Sequence, residues 1–396
     1  KDRLRTMEVV ARQQASAGKV DLAYTSELQR FFNYQLERWE EVRVRYSQLK
    51  GVQIRELNCD DFTIKAQFNP SRIKSTGAKI DAKTLAERPC FLCDKNRPAV
   101  QDAKPVDDKF KLLVNPYPIL NEHYTIVMTR HKPQAILNNF GEIFKLLTIY
   151  PELMVFYNGP KCGASAPDHM HFQAGTNGVL PLQQEWQHLS RSLETLVTVD
   201  NDNYIALVTD YVCSAFVIKT TSEETGTILF RNLYKLLPLR KDETEPMMNV
   251  IAWREGNAFM IIVLPRAKHR PDCYYKEGEG NVLISPGAID MGGLLITPRE
   301  EDFDKITPSI ALGILKECSL SDEKAGQIAE KLKAKAAAGL LSAKEDSCLM
   351  QITEEPNVTI GIVSGKKITF TLNMPYVAKG EDIIGLHTVE FSEGGI

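Results

Sequence analysis

The chain has 396 residues, 43% of them hydrophobic and 25% charged, an ordinary globular composition with length for two or three domains. A formal net charge of −3 gives no case for a protein that coats a polyanion, so nucleic acid is not expected as a partner. No apolar run approaches the roughly 20 residues of a membrane helix, and Lys1-Asp-Arg-Leu-Arg5 has no signal-peptide core.

Residues 1–50 are rich in helix formers. Leu28, Phe31, Phe32, Tyr34, Leu36 and Trp39 include three- and four-residue spacings, which predict two helices as an N-terminal arm. The start lacks an initiator Met, so a trimmed chain or part of a longer one is expected. Val52–Phe68 alternates as a hairpin does. A turn-prone basic stretch, Asn69–Gly77, and a polar loop then lead to Cys90-Phe-Leu-Cys93.

Phe110–Val114 and Tyr124–Thr129 read as strands around Asn115-Pro-Tyr-Pro118, and Ala135–Tyr150 as a helix. Leu153–Asn158 and His169–Ala174 read as two more strands. Strands, one helix and strands again make an α+β layout with a largely antiparallel sheet. The second half repeats this weakly. Met248–Trp253 and Phe259–Leu264 read as strands running into Pro265-Arg-Ala-Lys-His-Arg-Pro271, an echo of Met128-Thr-Arg-His-Lys-Pro133. Gly287–Thr297 is then expected in the place of the histidine-bearing strand. Ser321–Leu341 reads as an Ala/Lys-rich helix at a domain boundary. Asn357–Val363 and Lys367–Asn373 read as strands of a tail that stops without a closing element, the expected start of a further domain. The division is a helical arm at 1–50, an active half at 51–190, a degenerate half at 191–340 and a β-rich tail at 341–396.

Eight cysteines fall at irregular spacing, and only Cys90 and Cys93 form a close pair. In a chain of this size that does not read as a disulfide framework. A reducing, cytoplasmic setting is expected.

The densest chemistry lies in Asn158–Gln173. On a strand, His169, His171 and Gln173 share one face, with Met170 and Phe172 on the other. A half-exposed strand carrying chance histidines has the same spacing. A neutral histidine attacks phosphorus if one ring nitrogen is pinned and donors meet the non-bridging oxygens. His171 is the middle polar residue. Gln173 has an amide to donate, the Gly163-Ala-Ser165 turn offers backbone N–H groups and a hydroxyl, and Asn158 and Lys161 are further donors.

With Gly163-Ala-Ser165 upstream, His169-Met-His-Phe-Gln173 resembles the active site of the histidine-triad superfamily in its transferase branch. That branch has glutamine where the hydrolases carry a third histidine. It includes galactose-1-phosphate uridylyltransferase, diadenosine tetraphosphate phosphorylase and GDP-hexose phosphorylases. Phe68-Asn-Pro-Ser-Arg72, Val114-Asn-Pro-Tyr-Pro118 and His123-Tyr-Thr-Ile-Val127 extend the resemblance over about residues 55–310.

The resemblance implies two histidine-triad-like antiparallel halves forming an internal pseudo-dimer, hence a monomer. It implies nucleotidyl transfer to phosphate or a sugar phosphate from a nucleotide or nucleotide-sugar substrate, with a nucleotide-conjugate hydrolase, or a non-catalytic nucleotide-binding module attached to a cell-wall-related domain, as the alternatives. His171 becomes the nucleophile, Gln173 the phosphoryl holder, Asn158 and Ser165 phosphate contacts, Asn115 a ribose contact and Arg72 a phosphate-binding arginine. Asn115 also suits a turn before Pro116, and Arg72 and Lys74 also suit a charged surface. The galactose-1-phosphate enzyme further implies a structural zinc on Cys90, Cys93, His131 and His169, against a reduced Cys pair on a loop. Arg266, Lys268, His269 and Arg270 are candidates to reach across from the second half, or a solvated basic turn. The tail resembles the opening of stage II sporulation protein D–type cell-wall domains.

Overall fold

The computed structural model describes residues 26–341, except 60, 78, 79 and 242, and two strands at 367–378 and 381–390. The arm consists of α1 (Glu27–Arg38) and α2 (Glu40–Leu49). The Ser26 side chain caps α1 by accepting from Gln29 N–H, one of the four amides a helix start leaves open. Leu28 and Phe32 of α1 and Val42, Tyr46 and Leu49 of α2 are buried, whereas Tyr34 is exposed. Phe32 meets Tyr46 edge to face at 4.9 Å, and the Tyr46 hydroxyl donates to the His123 carbonyl at 2.9 Å. The arm therefore braces the strand that carries His123.

The next strands are β1 (Gln53–Cys59), β2 (Phe62–Phe68), β3 (Lys104–Pro105), β4 (Phe110–Val114), β5 (His123–Met128), β6 (Leu153–Asn158) and β7 (His171–Thr176). The second half supplies β8 (Leu193–Asp200), β9 (Asn203–Val208), β10 (Phe216–Thr220), β11 (Met248–Glu255), β12 (Ala258–Pro265) and β13 (Leu294–Thr297). A ten-stranded sheet runs β3-β4-β5-β7-β6-β11-β12-β10-β9-β8. All its pairings are antiparallel. Read outward from the central β6–β11 pair, the two halves have the same strand order. Helix α3 (Gly141–Ile149) leads into β6 and α4 (Glu223–Tyr234) into β11, again in matching places. The internal pseudo-dimer is thus a real two-fold pattern.

Two layers cover this sheet. Phe140, just ahead of α3, stacks on Phe230 of α4 at 3.7 Å, and Phe144 packs edge to face on Phe259 of β12. Met260, Ile262 and Leu264 alternate to the opposite face and join the main core with Phe62, Ile64 and Ala66 of β2 and Leu294–Ile296 of β13. There β1, β2 and β13 form a three-stranded sheet, with β13 parallel to β2.

Several expectations change. Gly287–Thr297 does not take the place of the histidine strand. In the matched order that place belongs to β12, whose Ala-Phe-Met-Ile-Ile-Val-Leu-Pro sequence is wholly apolar. The basic echo misled because Pro265–Pro271 follows the counterpart of β7, whereas Met128–Pro133 follows β5. The predicted helix 135–150 is α-helical only from Gly141, after a 3-10 turn at Leu137–Asn139. Ser321 caps the boundary helix Asp322–Ala337. In the tail, Lys367–Ala378 pairs antiparallel with Glu381–Glu390; the strand expected at 357–363 lies outside the described residues.

Candidate active site

A cavity of about 560 Å³ lies between the large sheet and the three-stranded layer. Its sheet side carries Leu113, Thr125, Phe156, His171 and Gln173, and its far side Arg72, Ala288, Asp290 and Ile296. Of the residues singled out in the sequence, Arg72, Asn115, Asn158, Gly163, Ser165, His171 and Gln173 all line it.

The strand begins at His171, so His169 sits on the turn ahead of it. The β6–β7 ladder ends at the pair Phe156–Gln173, leaving Asn158 and His171 without the bonds that would close the sheet. Gln134, fully buried, fills that gap. Its amide nitrogen donates to the Asn158 and His171 carbonyls at 2.9 Å each, and its oxygen accepts from His171 N–H at 2.8 Å. The His171 backbone is thereby fixed by a side chain that no periodicity marks.

His171 Nδ1 lies 2.7 Å from the His169 carbonyl, which can only accept, so Nδ1 carries the proton. The unprotonated Nε2 has no protein partner among the described residues. Burial pushes the ring's pKa down to about 4, so it is neutral at pH 7.

The same logic sets Gln173. Ile119 N–H donates to His123 Nδ1 at 3.3 Å, so His123 Nε2 bears hydrogen and donates to Gln173 Oε1 at 2.8 Å. With its oxygen held from behind, Gln173 leaves its NH₂ group unpartnered among the described residues. His123 was quoted in the sequence only within a segment; its work on Gln173 is visible once β5 and β7 pair. Burial, then the Arg72 charge, push its pKa down to about 3.

Arg72 is enclosed by protein but open to the cavity. It donates once, to the Tyr117 carbonyl at 2.9 Å. Burial lowers its pKa to about 10, which leaves it charged at pH 7. Asn115 accepts from Tyr117 N–H at 2.9 Å and donates to Thr125 Oγ1 at 3.0 Å, so it shapes the Asn-Pro-Tyr-Pro turn while lining the cavity. Gly163 has a φ of +93°, and a Cβ there would stand 2.5 Å from the Gly287 Cα, so only glycine lets the two halves close here. Lys161 does not line the cavity; it pairs with Glu243 at 3.4 Å. None of Arg266, Lys268, His269 and Arg270 lines it either. Lys268 pairs with Asp272 and Glu317, and Arg270 donates to Ser285 Oγ and stacks on Tyr274 at 4.2 Å.

Beside the cavity, one ligand atom each of Cys90, Cys93, His131 and His169 lie within 4.8 Å of one another. Cys90 Sγ is 3.4 Å and Cys93 Sγ 3.6 Å from His169 Nδ1, and Cys93 Sγ is 3.2 Å from His131 Nδ1. A tetrahedral zinc with ordinary bonds separates sulfur and nitrogen by roughly 3.6 Å, so the donor set fits such an ion. His169 Nε2 donates to the Met128 carbonyl at 2.7 Å, which leaves Nδ1 as the ligating nitrogen. Asp168 stands 3.9 Å from His131 Nε2 and is held by Arg88 at 2.7 Å.

Each half matches a family model. Residues 31–176 match a domain of unknown function, DUF4922, and residues 188–339 match the GDPGP1-like C-terminal domain. The second model is named for a GDPGP1-like protein, and the description of the first carries no function. No curated protein sequence matches the chain significantly. Among solved structures, the yeast Ap4A phosphorylase Apa2 in complex with Ap4A is 14% identical, covers 73% of this chain and 97% of its own, and has a TM-score of 0.47. An ADP-glucose phosphorylase from Arabidopsis thaliana with bound ADP-glucose is 12% identical over 68% and 100%, at 0.30. A uridylyltransferase mutant is 11% identical over 72% and 99%, at 0.34.

Proposed function

We propose that the chain is a nucleotidylyltransferase or phosphorylase that works through a nucleotidyl-His171 intermediate. The observation that carries this is the pinned, neutral His171 with Nε2 free, set beside the donor face of Gln173. Nε2 attacks the α-phosphorus of a nucleoside polyphosphate or nucleotide sugar. The bond to the leaving oxygen breaks and its electron pair departs with that oxygen. The imidazolium so formed keeps its Nδ1 proton against the His169 carbonyl. Gln173, Ser165, Asn158 and Arg72 meet the phosphoryl oxygens, with Asn115 near the ribose. An oxygen of phosphate or a sugar phosphate then attacks phosphorus, and the N–P pair returns to Nε2. Gln173 cannot take a proton from an attacking water as a third histidine could, which favours transfer to an anionic phosphate oxygen over hydrolysis.

The ligand set of Cys90, Cys93, His131 and His169 supports a structural zinc that holds the turn from which His171 follows. It needs reduced thiols, which supports a cytoplasmic setting. The paired halves within one chain support a monomer.

The test is incubation with α-phosphate-labelled ADP-, GDP- and UDP-sugars and dinucleoside polyphosphates. Acid-labile label on the wild type and none on His171→Ala is expected. Absence of label with every donor, or equal label on His171→Ala, overturns the covalent route. Product analysis with and without phosphate separates phosphorolysis from hydrolysis.

A further inference from the structure

Arg266 is 3% exposed and, among the described residues, has no acidic partner. Its Nε donates to the Cys318 carbonyl, one terminal nitrogen to Asn249 Oδ1 at 2.6 Å and the Pro286 carbonyl, and the other to the Lys268 and His269 carbonyls. A buried guanidinium held only by neutral acceptors is a costly choice for a sheet core. What it orients explains its presence.

An arginine can only donate. Asn249, fully buried on β11, must therefore turn its oxygen to Arg266 and its nitrogen away. That nitrogen donates to Asn158 Oδ1 at 2.9 Å and to the Cys162 carbonyl at 2.7 Å. Asn249 and Asn158 face each other directly across the seam between the halves. Ala288 N–H donates to the same Asn158 oxygen at 2.7 Å. Both donors come from the second half, and together they leave the Asn158 NH₂ group unpartnered among the described residues, on a residue that lines the cavity.

We propose that the second half, through Arg266 and Asn249, fixes the Asn158 amide as a donor to a phosphoryl oxygen of the bound nucleotide. Arg266 and Asn249 are positioning residues; they touch no substrate. The worn copy thus retains a task in the armed half's site. This inference rests on the nucleotidyl-transfer reading.

The test is a double-mutant cycle on the full chain, reading AMP, GMP and UMP binding by titration calorimetry. Asn249→Ala is expected to weaken binding about tenfold, and Asn158→Ala with Asn249→Ala to bind no worse than Asn158→Ala alone. Asn249→Asp keeps an acceptor for Arg266 but has no donor for Asn158. It should hold the wild-type thermal midpoint within a few degrees and still bind about tenfold more weakly. Asn249→Asp binding within about twofold of wild type, or single losses that add in the double variant, overturns the proposal. If Asn249→Ala does not fold, Asn249→Asp decides alone. If the wild type binds a monophosphate yet is never labelled, the covalent reading falls and the cycle still decides this inference; if it binds none, both fall.

Discussion

His123 donates to Gln173 Oε1 across 2.8 Å, and this bond decides which end of the glutamine the cavity meets. His123 is itself polarised from behind by Ile119 N–H, so the chain of donors runs outward toward the substrate. Two side chains of the cavity, Gln173 and Asn158, are presented in this way, each with its oxygen occupied and its nitrogen left over.

His123→Phe removes the donor without opening a large void. Gln173 is then free to turn, and Ile119 N–H loses its acceptor inside the core. Slower labelling of His171, by roughly tenfold or more, is expected from losing one oriented donor. A stability loss of about 1–3 kcal/mol is expected from the orphaned amide. Single-turnover labelling and urea unfolding measure the two separately. Unchanged labelling would show that Gln173 keeps its orientation without His123.

The metal cluster gives a second outcome. Protein purified without chelator is expected to carry about one zinc, released by strong chelator with a lower thermal midpoint. Cys90→Ser should retain less than about half an equivalent. Elemental analysis checks both. Full zinc in Cys90→Ser would remove that residue from the ligand set.

Much of this site was legible in the sequence because short motifs sit on contiguous backbone. The strands β4 to β6, the donors Asn158 and Ser165 and the shared face of His171 and Gln173 follow from local pattern, whereas Arg72 and the grouping of Cys90, Cys93, His131 and His169 came only with the resemblance that those motifs carry. What failed was non-local. Gln134 closes the sheet between Asn158 and His171 only because the β6–β7 ladder stops early. Asn249 and Arg266 gain meaning only when β11 pairs with β6. Pro265–Pro271 echoed Met128–Pro133 in letters, but a strand's place is set by its neighbours in the sheet. His169 read as part of the strand because period-two spacing does not mark where a turn ends.

Lys161 is the one non-glycine residue with positive φ among those described, at 57°. Cys162 N–H closes a turn onto the Gly159 carbonyl at 2.9 Å, with Pro160 and Lys161 as its central residues. Proline in the first central place and positive φ in the second define a type II turn, where glycine is favoured. A left-handed lysine costs roughly 1–2 kcal/mol, partly offset in a glycine variant by its looser unfolded chain. Lys161 is half exposed, and the Glu243 carboxylate, itself only 8% exposed, keeps Arg240 at 3.8 Å when the lysine is removed. Lys161→Gly is therefore expected to be more stable by about 0.5–1 kcal/mol in urea unfolding, with labelling of His171 retained. Loss of labelling would give Lys161 a role at the substrate that its place outside the cavity does not support.

Glu245 ties the same region together from the other half. It is 3% exposed, and its carboxyl accepts from the Tyr157 hydroxyl and from Ile136 N–H at 2.8 Å. Burial outweighs those bonds and pushes its pKa up to about 7. Its ordinary value is near 4.3 in an unfolded chain. Between those values the folded state holds the proton and the unfolded state does not, so this group's contribution to stability falls as pH rises from about 4.5 to 7 and is level above that. His123 and His171, held neutral by burial, act with the opposite sign, losing stability as pH falls below about 6.5. Glu245→Gln cancels the histidine contributions in a difference measurement and cannot titrate. Relative to wild type, the variant is expected to gain stability steadily between pH 5 and 7, by roughly 2–3 kcal/mol across the range. Urea midpoints at a series of pH values read this directly. A difference that does not change with pH would mean that Glu245 is already ionised in the folded protein.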